Sequence, residues 1–206
     1  MLNKTAIKTC ELDHLPSSLL AELIDDLLPS FTSVINDSLL TGSFPSVFRS
    51  AVVRPLLKKK KKKNSLDTDN VNNYKPVSTL PFLSKITEQI VLLQLSQHLE
   101  SNNLLYPLQS AYRLGHSTET ALLKSVNDLL AALDVNHISL LSLLDLSAAF
   151  DTIDHPILLS RLHHTFSISG TALSWFQSHF ADRTQVVSVN DASSAPAALN
   201  FGVPRG

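Results

Sequence analysis

The sequence predicts a mixed α/β protein, and three observations carry that prediction. Leucines and isoleucines recur at spacings of three and four through several stretches, as helices with one apolar face require. Short β-branched runs, SAVVRPLL at 50–57 and TQVVSVN at 184–190, read as strands. Between them lies HISLLSLLDL at 137–146, almost wholly apolar and interrupted near its end by one carboxylate, Asp145.

The chain has 206 residues and is 44% hydrophobic, enough for a core in one large domain or two small ones. Its apolar runs are shorter than a bilayer demands, so no membrane partner is expected. MLNKTAIKTCELDHL at the start lacks the apolar centre of a signal peptide. One cysteine, Cys10, cannot form an internal disulfide and fits a reducing compartment. The expected location is therefore intracellular, nucleus or cytoplasm, and not secreted. The net charge of −1 hides an asymmetry, because Lys58 to Lys63 are six consecutive lysines and the remainder balances at −7. A generic polyanion binder is excluded, and any such site is local. The run reads as a solvated loop, a low-complexity insertion or a phosphate-binding arm.

Taken in order, residues 1–16 read as a disordered N-terminus. Leu19, Leu20, Leu23, Ile24, Leu27 and Leu28 make a helical stripe. Pro29 breaks that helix or opens the next in its first turn. Phe31, Val34, Ile35, Ser38 and Leu39 continue the spacing until Gly42, a C-terminal stop. SAVVRPLL is a strand, followed by a long polar loop. NYKPVSTL at 73–80 is extended, with Pro76 assigning it to an edge. Pro81 opens a helix running to about Glu100. Ser117 caps the next, whose stripe is Leu122, Val126, Leu129, Leu130 and Leu133. The 137–146 run reads as a strand buried on both faces. Asp154 and Pro156 start a further helix, and TALSWFQSHF follows Ser169 and Gly170. Strands at 184–190 and 197–204, joined by DASSA, end the chain.

A carboxylate at the carboxyl end of a buried strand lies where α/β folds place active sites. Mg²⁺ takes one or two such carboxylates together with substrate phosphates. The plainer reading is that Asp145 satisfies backbone donors where a strand ends. His155, His163 and His164 suggest zinc, but their spacing fits no common site and no cysteine is near.

LLDLSAAFDTIDH at 143–155 resembles the first catalytic motif of reverse transcriptases from non-LTR (LINE-type) retrotransposons. VVRPLLKK, NNYKPVSTLPFLSKITEQIV, LLYPLQSAYRLGHSTETALLKSVNDLL, ALSWFQSHFADRTQVVSVN and FGVPRG resemble further blocks of that family, in the same order. The resemblance covers about Thr9 to Gly206. It implies a right-hand polymerase, with a fingers-like helical region at 17–136, a Lys-rich loop at 58–72 and a partial palm at 137–206. That palm would be an antiparallel sheet with helices on one face.

Carried over residue by residue, the resemblance makes Asp145 the catalytic, metal-binding carboxylate and the carbonyl of Leu146 a weaker ligand. The cofactor would be Mg²⁺, because two clamped cations stabilise both the attacking and the leaving oxygen of phosphoryl transfer. Phe150 matches the ring that closes the sugar site to a 2′-hydroxyl. Lys75 stands where the family has an arginine that holds the triphosphate, Arg113 where it has a basic residue near template or nucleotide. Arg205 stands where the motif usually has glutamine. Implied partners are an RNA template, a DNA primer and dNTPs, with self-association through the incomplete palm. The family's two-aspartate motif would lie beyond residue 206, so these residues alone are expected to be inactive. The alternative is a non-catalytic nucleic-acid-binding or interaction module derived from such an enzyme.

Overall fold

Why some stretches fold as the sequence predicts is clearest at their ends. The computed structural model of the chain describes residues 10–13, 15–58, 67–146, 148–190 and 192–203. Its helices are α1 (Ser17–Glu22), α2 (Ile24–Thr41), α3 (Phe82–Ser101), α4 (Thr118–Asp134), α5 (His155–His164) and α6 (Gly170–Phe180). Its strands are β1 (Ser50–Leu57), β2 (Tyr74–Thr79), β3 (Thr184–Val189), β4 (Ala192–Ser193) and β5 (Ala197–Ala198). Two compact units result: Met1–Ser96 with Ala148–Gly206, and Gln97–Ser147.

In the first unit, α2 ends on Gly42 in the left-handed conformation, φ +65°, and the Gly42 N–H returns to the Ser38 carbonyl. A Cβ at Gly42 would stand 2.7 Å from the Thr171 carbonyl oxygen, so the glycine also admits α6. Pro29 neither ends nor begins a helix; it lies inside α2, and the break falls at Leu23 instead. Proline forfeits one intrahelical bond, which the burial of Ile35 against Leu20, Phe82 and Ile86 offsets. Residues 10–13 are anchored: Cys10 is buried, and the Asp13 carboxylate accepts from the Phe82 N–H at the start of α3 (2.9 Å).

A second cluster joins Phe44, Phe48 and Trp175. Trp175 Nε1 donates to Ser38 Oγ (3.0 Å), and the Phe44 N–H donates to Ser178 Oγ (2.8 Å). His179 stacks on Trp175 at 5.1 Å between ring centroids. Arg183 lies 2% exposed beside them, its Nη2 3.5 Å from the Glu88 carboxylate and its Cζ 5.6 Å from the centre of the Phe44 ring. Two helices and the entry to β3 are thereby fixed to α3.

The sheet runs β2-β1-β3-β4, with β5 also on β3. The α/β class holds, but the sheet is mixed rather than antiparallel. β1 and β2 form an antiparallel hairpin, whereas β1 and β3 pair in parallel, Val53 against Val187. A parallel pair needs a long crossover, and the helices between β1 and β3 provide it. Pro55 faces Pro76 across the hairpin, beyond Val53, where β1 stops pairing with β3. Both prolines thus avoid positions that require an N–H on two sides. The strand expected at 197–204 shrinks to Ala197–Ala198 and an isolated bridge between Asp154 and Phe201.

In the second unit, Ser117 caps α4 by accepting from the Thr120 N–H (3.2 Å), and Thr120 Oγ1 accepts from the Ser117 N–H (2.9 Å). The capping hydroxyl holds the Glu119 carboxyl below its usual range. None of the described residues of this unit is buried. The expected buried strand at 137–146 does not form: the segment is irregular, with Ile138, Leu140 and Leu144 more than 90% exposed. An apolar run is stabilised as a strand only by pairing and burial, and no described strand pairs with it.

Asp154 performs the capping role its sequence position suggests: its Oδ1 accepts from the Ile157 N–H (2.9 Å) ahead of Pro156. Replacing Asp154 with Ala is expected to lower the unfolding free energy by about 1 kcal/mol. A urea titration reads this directly, and a loss below about 0.3 kcal/mol would show the cap to be redundant.

Candidate functional site

The site begins where two separate stretches meet. The turn at 148–153 and the segment at 201–203 lie against each other within the first unit. The Gly202 N–H donates to the Ile153 carbonyl (2.8 Å), and the Val203 N–H donates to the Phe150 carbonyl (3.0 Å). His155 Nε2 donates to the Gly202 carbonyl (2.7 Å). Only glycine fits at 202: φ is +77°, and a Cβ would meet Asp151 Cα at 2.8 Å.

This crossing overlooks one face of the sheet. Val53 on β1 pairs with Ser78 on β2 and with Val187 on β3, so one row of side chains crosses three strands. The two-residue period adds Pro76 and Gln185 to that face. With Asp151 and Gly202 these residues line a cleft of about 380 Å³. Apolar floor, backbone groups and one carboxyl-bearing residue at the rim are the usual makings of a small-molecule cleft.

Of the residues singled out from sequence, Phe150 belongs to this crossing. It is 39% exposed, which argues against an ordinary core aromatic. Lys75 is exposed on β2 and paired with Leu56; the pleat turns it to the face opposite Pro76, and it does not line the cleft. Asp145, Leu146 and Arg113 belong to the second unit. Asp145 and Leu146 are exposed, and Arg113 Nη1 lies 3.5 Å from the Pro107 carbonyl. Arg205 and most of the lysine run, 59–63, lie outside the described residues.

His155 and Gly202 are the residues that reading the sequence missed. A histidine wedged between a capping aspartate and a first-turn proline was the available signal, yet the sequence offered it only as a zinc ligand. Instead its Nε2 is engaged by a backbone carbonyl, and His163 Nδ1 lies 3.1 Å from the Ile168 carbonyl.

Mg²⁺ requires converging oxygen ligands. Among the described residues no three His, Cys, Asp or Glu side chains converge, and Asp145 is a single exposed carboxylate. The described residues therefore do not make a two-cation site. Among the described residues no helix is long and apolar enough to cross a membrane.

Residues 58–206 match the family model described as reverse transcriptase (RNA-dependent DNA polymerase), and the chain belongs to that family. It is similar to the RNA-directed DNA polymerase from mobile element jockey of Drosophila melanogaster, 29% identical over all of this chain and 22% of that protein. The counterpart from Drosophila funebris is 29% identical over 94% of this chain and 20% of its own length. The probable RNA-directed DNA polymerase from transposon BS of Drosophila melanogaster is 27% identical over 84% and 18%. The chain thus spans about a fifth of the length of these curated relatives.

Proposed function

We propose that the chain is part of an RNA-directed DNA polymerase of a retroelement, and that the cleft under the 150–153 and 201–203 crossing receives a deoxynucleoside triphosphate. The observation that carries this reading is the crossing itself. It sets a partly exposed Phe150 beside a glycine whose missing side chain admits close approach, and that glycine and Asp151, the residue after Phe150, line the cleft over the three-strand floor. In this reading the Phe150 ring lies under the sugar and leaves no room for a 2′-hydroxyl, the group by which RNA and DNA sugars are told apart. Asp145 serves as one metal-binding carboxylate of a larger set, and RNA template and DNA primer are the macromolecular partners. The exposed leucines of 138–146 support self-association in the same reading.

Calorimetric titration of the chain with dATP and with ATP tests it. The chain is expected to prefer dATP, and Phe150→Ala to reduce that preference about tenfold by strengthening ATP binding. Saturable binding of neither nucleotide, or an unchanged ratio in the variant, would refute the sugar-gate reading. Because no three His, Cys, Asp or Glu side chains converge among the described residues, primer extension on an RNA template by these 206 residues is expected to give no product. A non-catalytic binding module would instead show salt-sensitive affinity for RNA–DNA hybrids without any sugar preference at the cleft.

A further inference from the structure

We propose that His155 is a positioning residue for the sugar gate, holding the 201–203 segment down on Phe150; this rests on the nucleotide reading above. His155 is the first residue of α5 and is buried. Its ring stacks on Phe180, the last residue of α6, at 5.0 Å and an interplanar angle of 21°. With the ring plane held by that stack, Nε2 meets the Gly202 carbonyl at 2.7 Å. The preceding residue contributes twice more: Asp154 caps α5 through its side chain and bridges Phe201 through its backbone.

The consequence follows along the chain. Gly202 is buried and its carbonyl accepts from His155 Nε2, so removing the imidazole takes that acceptor's partner away. A stranded buried acceptor is more costly than a lost exposed bond. The segment relieves it by rising toward the cleft it lines. Rising separates the Val203 N–H from the Phe150 carbonyl and the Gly202 N–H from the Ile153 carbonyl. The Phe150 carbonyl then loses the Val203 N–H, one of the contacts that hold the turn at 148–153. A gate works by a close steric margin, so a shift of that kind is felt first by the larger sugar. His155 thereby acts on sugar choice without touching the nucleotide, through two backbone hydrogen bonds and a ring stack.

The test compares His155→Phe, which keeps the stack on Phe180 and removes the donor, with His155→Gln, whose amide N–H restores a donor. The full chain is titrated with dATP and ATP, and amide exchange is followed at Gly202 and Val203. In His155→Phe, those two amides are expected to exchange about tenfold faster, and the dATP-over-ATP ratio to fall about tenfold through stronger ATP binding. His155→Gln is expected to recover most of both. If the phenylalanine variant exchanges faster but keeps the wild-type ratio, or weakens both nucleotides equally, His155 is merely structural and the proposal fails. If the wild-type chain itself shows no sugar preference, the gate reading fails and takes this proposal with it. The two failures are thus told apart by the wild-type titration.

Discussion

Phe44→Ala is expected to destabilise the chain by about 3–5 kcal/mol. Phe44 is fully buried and meets Phe48, Trp175 and His179 edge-on, at centroid distances of 6.0, 5.4 and 4.7 Å. Its other neighbour is the Arg183 guanidinium, which the ring screens from water. Truncation loses the transfer free energy of the ring and leaves a cavity bounded by groups that cannot collapse inward. Trp175 is bonded to Ser38, and Arg183 is paired with Glu88. Domains of this kind are stable by about 5–15 kcal/mol in all, so most of the reserve would be spent at one position. A urea midpoint shift equivalent to less than about 1 kcal/mol would show that the cluster repacks and that Phe44 is not its centre.

The second large effect is acid sensitivity. Burial, reinforced by the neighbouring Arg183, His155 and Arg49, holds the His179 imidazole down to about 3, against its usual 6.5. Between those values the unfolded chain binds a proton that the folded chain refuses, so stability falls as pH drops through that window. Each pH unit is worth about 1.4 kcal/mol, which gives about 2 kcal/mol lost between pH 6.5 and 5.0. Glu88 works in the opposite sense. Burial outweighs the attraction of Arg183 and raises its carboxyl above the usual range. The folded chain keeps a proton there that the unfolded one releases, so that contribution is lost as pH rises. His179→Gln keeps an acceptor for Arg183 Nη1 and does not titrate, and the difference in pH slope between it and the parent isolates His179. Equal slopes would mean that the imidazole titrates alike in the folded and unfolded chain.

What the sequence disclosed was what local chemistry decides. The Asp154 and Ser117 caps, the Gly42 stop and the limits of β1 each depend on a few neighbouring residues, and each is visible in a short window. Partnership was not visible. The run at 137–146 has the composition of a buried strand, but composition cannot supply a neighbour, and its leucines are exposed. The parallel pairing of β1 with β3 joins stretches that no window spans. Nothing near Arg183 and His179 in the chain announces that the fold surrounds them with Phe44, Trp175 and Glu88. At the candidate site the same division applies. Phe150 was singled out through its motif, whereas the close approach of Gly202 and the hydrogen bond from His155 exist only once two distant stretches meet.

The pairing of Val53 with Val187 sets a schedule for the nascent chain. Those partners are 134 positions apart, so at about 5–20 residues per second β1 emerges from the ribosome roughly 7–27 s before the strand that completes it. β2 arrives early and shelters one edge; the other stays open until β3 emerges. A holding factor that shields Val52 and Val53 during that interval would therefore raise the yield of folded chain without altering its final stability.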